Sequence, residues 1–241
     1  MTKTNRGGLA PLRNGEFIAG LLFLPCYFGM TDLALRAVLK LLGRSPAEQT
    51  YSLLLLTVNF LIAAVIFHHL LFRSLQYAFR NFWNFLQAVI LAVVFFFAVY
   101  YALTWSLGKL DILPKNLNNS SILALYEKNV PVTTLCICVL APITEECLFR
   151  ALIFGSIHRK SRVLAYIVSV LLFALIHTLP YLLSAGNREA YLLNEFLPAT
   201  LLYLPAGIAL AWAYEKSGTI WASILSHALI NFIVTFVTIT I

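Results

Sequence analysis

Seven stretches of this chain are apolar enough to cross a bilayer as helices, and that repetition limits the fold before any other feature is read. A hydrocarbon core of about 30 Å needs about 20 residues of helix. The stretches run from Glu16 to Met30, Tyr51 to Phe72, Trp83 to Leu107, Val130 to Ile157, Val163 to Leu179, Ala190 to Tyr214 and Thr219 to Ile241. The first is short, with an amphipathic extension to Leu42, and the sixth contains Pro198 and Pro205, so the expected count is about seven, within six to eight. Helices satisfy their own backbone in lipid. The expected fold is therefore all-α: a polytopic transmembrane helical bundle, with residues 1–241 as a single transmembrane domain.

Composition agrees. Hydrophobic residues make up 61% and charged residues 11%, against about 25% charged in a soluble domain. The formal net charge of +7 does not point to nucleic acid, because the basic residues fall between the apolar stretches. There they set topology and meet anionic lipid of the bilayer. Lys3, Arg6, Arg13, Arg73, Arg80, Arg159, Lys160, Arg162 and Lys216 fall on one side of a seven-span arrangement. Arg36, Lys40, Arg44, Lys109, Lys115, Lys128 and Arg188 fall on the other. The bias is slight and places the amino terminus in the cytoplasm. The first stretch follows basic residues without a small-x-small cleavage site and reads as a retained signal anchor.

Cys26, Cys136, Cys138 and Cys147 all lie in apolar runs and read as buried thiols acting as small hydrophobes. Asn118, Asn119, Ser120 and Ser121 form overlapping N-x-S sequons in the longest connection, read as chance. His68 and His69 close the second stretch at the expected interface, and His158, beside Arg159 and Lys160, reads as solvated.

Charge inside an apolar stretch needs a reason. Glu145 and Glu146 sit within APITEECLFR, where each carboxylate costs about 2.5–3.5 kcal/mol on insertion scales. Glu146 and Arg150 are four apart and share a helical face, so they can pair. Glu145 is turned about 100° away, and the two glutamates are expected to do different jobs. His177 lies one turn after Phe173. His227 and Asn231, again four apart, can point at one small volume and offer hydrogen-bond donors there. Each of these polar groups, taken alone, also fits interhelical hydrogen bonding. Depth argues for convergence. At about 1.5 Å per residue, Glu145, His177, His227 and Asn231 lie roughly 18, 21, 12 and 18 Å from the Arg159–Arg162 side. That is one slab near mid-membrane.

E-E-x-x-x-R at Glu145, Glu146 and Arg150, F-x-x-x-H at Phe173 and His177, and H-x-x-x-N at His227 and Asn231 resemble, in order, three motifs of the CPBP family. These are the type II CAAX prenyl endopeptidases and bacteriocin-processing (Abi-type) membrane enzymes. The preceding YEKSGTIWASIL is also similar. The resemblance covers about Ala141 to Phe232. It implies a type II CAAX protease-like bundle with a cavity open toward the cytosol, built on helices near 130–157, 163–179 and 219–241. It implies a membrane-embedded endopeptidase acting on membrane-proximal peptide, protein or prenylated substrates. Glu145 would activate water with His177, while His227 and Asn231 stabilise the oxyanion and Glu146, Arg150 and Phe173 support them. Zn2+ held by Glu145, His177 and His227 and a metal-free glutamate mechanism are both compatible with it. A non-catalytic immunity or scaffold protein binding a peptide or protein partner is the alternative. An ion-path transporter is a third reading, disfavoured by the lack of repeat symmetry. Chain length favours a bacterial plasma-membrane member; the sequence carries no signal for oligomeric state.

Overall fold

The computed structural model describes residues 9–114, 123–127, 129–183 and 191–240; the Asn118–Ser121 sequons lie outside them. Among the described residues, seven helices are long and apolar enough to cross a membrane: α1 (Asn14–Leu41), α2 (Glu48–Arg80), α3 (Phe82–Lys109), α4 (Val130–His158), α5 (Arg162–Leu183), α6 (Leu192–Ser217) and α7 (Ile220–Thr240). The fold is all-helical, and the protein is an integral, multi-pass membrane protein. The first stretch is longer than its apolar run suggested, because the amphipathic segment to Leu41 continues the helix after a break. Pro198 and Pro205 do not divide α6. Pro198 stands in the first turn of a regular segment that begins at Leu197, where a missing N–H costs little.

Pairings at the helix ends give the two faces. At one end, the Arg73 guanidinium reaches the Pro11 carbonyl at 3.1 Å, and the Leu70 N–H donates to Glu16 Oε1 at 2.7 Å. The Thr219 hydroxyl donates to the Ser74 carbonyl at 2.8 Å. Asn84 donates to the Lys216 carbonyl at 3.2 Å. At the other end, Tyr51 donates to Asp32 at 2.6 Å, Arg36 pairs with Glu48 at 3.3 Å, and Thr200 donates to Thr178 at 3.2 Å. Neighbouring spans therefore run antiparallel, with the Arg159–Arg162 turn on the first face.

Helix α4 is the centre, with 61% of its apolar window buried against 17% for α1. Small residues let α6 approach closely, as membrane helices need without a water-driven core. Ala206, Ala209, Ala211 and Ala213 are buried there. A Cβ on Gly207 would sit 2.9 Å from Val170 Cγ1. Large side chains such as Ile18, Leu22, Val65, Trp83, Trp105 and Val163 are exposed and face the solvent this surface is built for, lipid.

Two helices are locally unwound near the site. A π-turn at Cys26–Met30 interrupts α1, and two more, Cys136–Leu140 and Cys147–Phe154, flank the two glutamates of α4. Such turns displace the hydrogen-bond ladder by one residue and recur at functional positions.

Candidate active site

The unwinding of α4 follows from Pro142. In the π-turn before it, the Ala141 N–H reaches back to the Cys136 carbonyl. The next residue is proline and has no N–H to give. The Ile137 carbonyl instead accepts from Asn231 Nδ2 on α7 at 3.0 Å. One turn later come Glu145 and Glu146, both buried.

Glu146 is fully enclosed. Its Oε1 accepts from Arg150 Nη1 at 3.0 Å and from His227 Nδ1 at 2.8 Å. Its Oε2 accepts from the Ser223 hydroxyl on α7. Arg150, equally buried, donates to the Gly207 carbonyl at 3.3 Å and lies 4.2 Å above the Phe173 ring. A charge taken out of water must be paired and hydrogen-bonded, and this cluster meets that demand for Glu146.

Glu145 points the other way, into a cavity of about 500 Å³ that His177, His227, Asn231 and Phe173 also line. Its Oε1 accepts from the Tyr27 hydroxyl of α1 at 3.1 Å. Its Oε2 is buried with no hydrogen-bond partner. That oxygen lies 3.5 Å from His177 Nε2 and 4.0 Å from His227 Nε2. Both imidazoles are oriented through their other nitrogen. His177 Nδ1 meets the Phe173 carbonyl at 2.8 Å, and His227 Nδ1 meets the Glu146 carboxylate. Those oxygens only accept, so each Nδ1 carries a hydrogen and each ring turns its Nε2 toward Glu145. Phe173 sits between the rings, with centroids 4.6 and 5.6 Å away, and Tyr203 stacks on His177 at 4.8 Å.

Glu145, His177, His227, Asn231 and Phe173 thus share one cavity wall, and Glu146 and Arg150 lie directly behind it. Tyr27, Ser223 and Tyr203 were missed by sequence reasoning. Ser223 precedes His227 by four residues and had a periodicity signal; Tyr27 had none. His158 departs from its solvated reading. Its Nε2 lies 2.8 Å from Glu215 Oε1, and that carboxylate also takes Arg162 at 2.7 Å and Tyr166 at 2.7 Å. Cys26 is only half-buried, unlike the other three cysteines.

The rest of the lining is mostly apolar and reaches Ser52, Thr104, Leu113, Pro114, Leu125 and Thr235. These residues lie toward the helix ends opposite the Arg159–Arg162 turn. A cytoplasmic amino terminus and a cavity open to the cytosol therefore cannot both hold.

One carboxylate oxygen and two imidazole nitrogens have the donor chemistry of a zinc site. Among the described residues, no three His, Cys, Asp or Glu form a ready metal site. The chemistry below uses the chain's own side chains.

Residues 127–233 match the family model of the Rce1-like type II CAAX prenyl endopeptidases. The chain is 33% identical over 93 residues to the UPF0177 protein YxdF of Lactococcus lactis subsp. lactis (strain IL1403), covering 39% of this chain and 42% of that protein. It is 28% identical over 115 residues to YdiL of Bacillus subtilis (strain 168), a protein provisionally named a membrane peptidase, covering 47% and 40%. The chain spans about two fifths of the length of these curated relatives. No solved structure matches it.

Proposed function

We propose that this chain, a member of the CPBP family through residues 127–233, is a membrane-embedded endopeptidase in which Glu145 activates water. One observation carries the reading: a buried carboxylate oxygen without a partner faces two imidazole nitrogens in the wall of a cavity.

Peptide hydrolysis needs a nucleophilic water and a place for the oxyanion. A water between Glu145 Oε2 and His177 Nε2 would donate one hydrogen to each and turn its lone pair to the scissile carbonyl. As the C–O bond forms, the water proton passes to Glu145. Glu145, Glu146 and Arg150 together carry a charge of −1, and one imidazolium makes the cluster neutral. His227, bonded to Glu146, is the ring best placed to hold that proton. Its Nε2–H then faces the cavity as an oxyanion donor. Asn231 keeps one amide hydrogen beyond the one given to Ile137. When the tetrahedral intermediate collapses, the C–N bond breaks and Glu145 returns its proton to the leaving amine.

The cavity walls support a reading of the substrate class. Leu55, Leu56, Phe96, Leu202, Ile230 and Val234 line it, and its volume lies within the range of ligand sites. They suit an apolar stretch of polypeptide, bare or lipidated, at the membrane. The test compares the peptide termini of membrane proteins in cells carrying wild-type protein or Glu145→Gln. Substrates accumulate uncleaved in the variant. Identical termini in the two strains would overturn the proposal.

A further inference from the structure

We infer that Tyr27 is a positioning residue for Glu145, which rests on the reading of Glu145 as the base. It lies on α1, outside residues 127–233 that match the family model. Its hydroxyl donates to Glu145 Oε1 at 3.1 Å. Among the described residues that is the hydrogen bond this carboxylate receives, since Oε2 has none.

A glutamate's last torsion is broad and roughly two-fold, so the carboxylate plane needs an external hold. With Oε1 tied to α1, Oε2 is left facing His177 and His227. The ring that delivers the hydroxyl is itself held. It makes edge contacts with Phe23 at 6.3 Å, Phe28 at 6.1 Å and Phe149 of α4 at 6.5 Å. Phe149 in turn meets Phe173 edge-on at 5.6 Å, and Phe173 lies between the two imidazoles. Gly29, two residues on, stands at φ 152° and ψ −22° inside the π-turn, a conformation that belongs to glycine, so α1 kinks just after Tyr27. Tyr27 extends the site to a helix that the three motifs do not include.

Tyr27→Phe removes the hydroxyl and keeps the ring, so expression level and thermal melting match the wild type. Two readouts test the assignment. The first is turnover of a substrate found in the Glu145→Gln comparison. Loss of one hydrogen bond to a charged group lowers kcat about tenfold, with KM within twofold.

The second readout does not depend on peptidase activity. Dicyclohexylcarbodiimide attacks carboxyls in apolar surroundings, and its adduct on Glu145 is read by mass spectrometry with Glu145→Gln as blank. Labelling is severalfold faster in Tyr27→Phe, where the hydroxyl no longer covers Oε1. If the wild type cleaves nothing, the peptidase reading fails and labelling alone decides this one. Wild-type labelling in Tyr27→Phe would overturn the assignment, as would wild-type kcat.

Discussion

Asn231 and Ile137 are joined by an amide-to-carbonyl hydrogen bond of 3.0 Å, and the cause is a third residue, Pro142. The proline withholds the N–H that the Ile137 carbonyl would otherwise receive from its own helix. Asn231→Ala then strands a carbonyl and removes a donor from the cavity. The expected stability cost is about 1–3 kcal/mol, and the expected activity loss is about 10²–10³-fold. A double-mutant cycle separates the two effects. In a Pro142→Ala background the carbonyl regains a backbone partner, so Asn231→Ala costs less stability there while activity stays low. Equal costs in both backgrounds, measured by thermal melting, would remove the Pro142 explanation.

The adjacent glutamates are expected to fail in different ways. Glu145→Gln keeps shape and leaves the Arg150 cluster intact. Folded yield and melting should stay near wild type while cleavage falls at least about 10³-fold, as for loss of a general base. Glu146→Ala leaves Arg150 buried without its carboxylate. Breaking a buried pair from one side costs about 3–5 kcal/mol, so the variant should accumulate poorly and melt early. Size-exclusion profiles and melting curves of the two variants check this. Normal yield from Glu146→Ala would show that the enclosed cluster does not hold the bundle.

Much of this was legible because lipid makes polar residues conspicuous. Seven apolar runs announced the spans, and Glu145, His177, His227 and Asn231 stood out against hydrocarbon. Depth along straight helices was enough to bring them to one slab. The α-helical ruler, however, missed the π-turns either side of Glu145 and Glu146, because one extra residue in a turn leaves composition unchanged. It also missed Tyr27. An aromatic residue in an apolar run looks like lipid-facing or core packing, and its contact with Glu145 spans 118 positions. His158 was misread for a related reason. Its neighbours in sequence are basic, but its partner Glu215 arrives from another span.

A reaction without a metal is the expectation. Oε2 of Glu145 and the two Nε2 atoms are oriented by separate partners, Tyr27, Phe173 and Glu146, and none of those contacts needs an ion. Purified protein should hold well under one equivalent of zinc by elemental analysis. Cleavage should survive dialysis against a chelator at unchanged kcat. One equivalent of zinc, with activity lost on its removal and restored on its return, would overturn this.

Sidedness is the last consequence of the fold. The turn bearing Arg159, Lys160 and Arg162, the α2–α3 turn after Arg80 and the start of α1 share one face. Basic residues in short loops stay in the cytoplasm. The cavity extends toward the other face, past Ser52 and Leu113. Substrate would then enter from outside the cytoplasm. The check uses single cysteines and a membrane-impermeant maleimide on intact cells. Three native cysteines are buried, and unmodified wild-type protein gives the background. Leu113→Cys should label in intact cells, whereas Ser161→Cys should label only after the cells are opened. The reverse pattern would turn the cavity to the cytosol and show that this slight excess of Lys and Arg does not set the orientation.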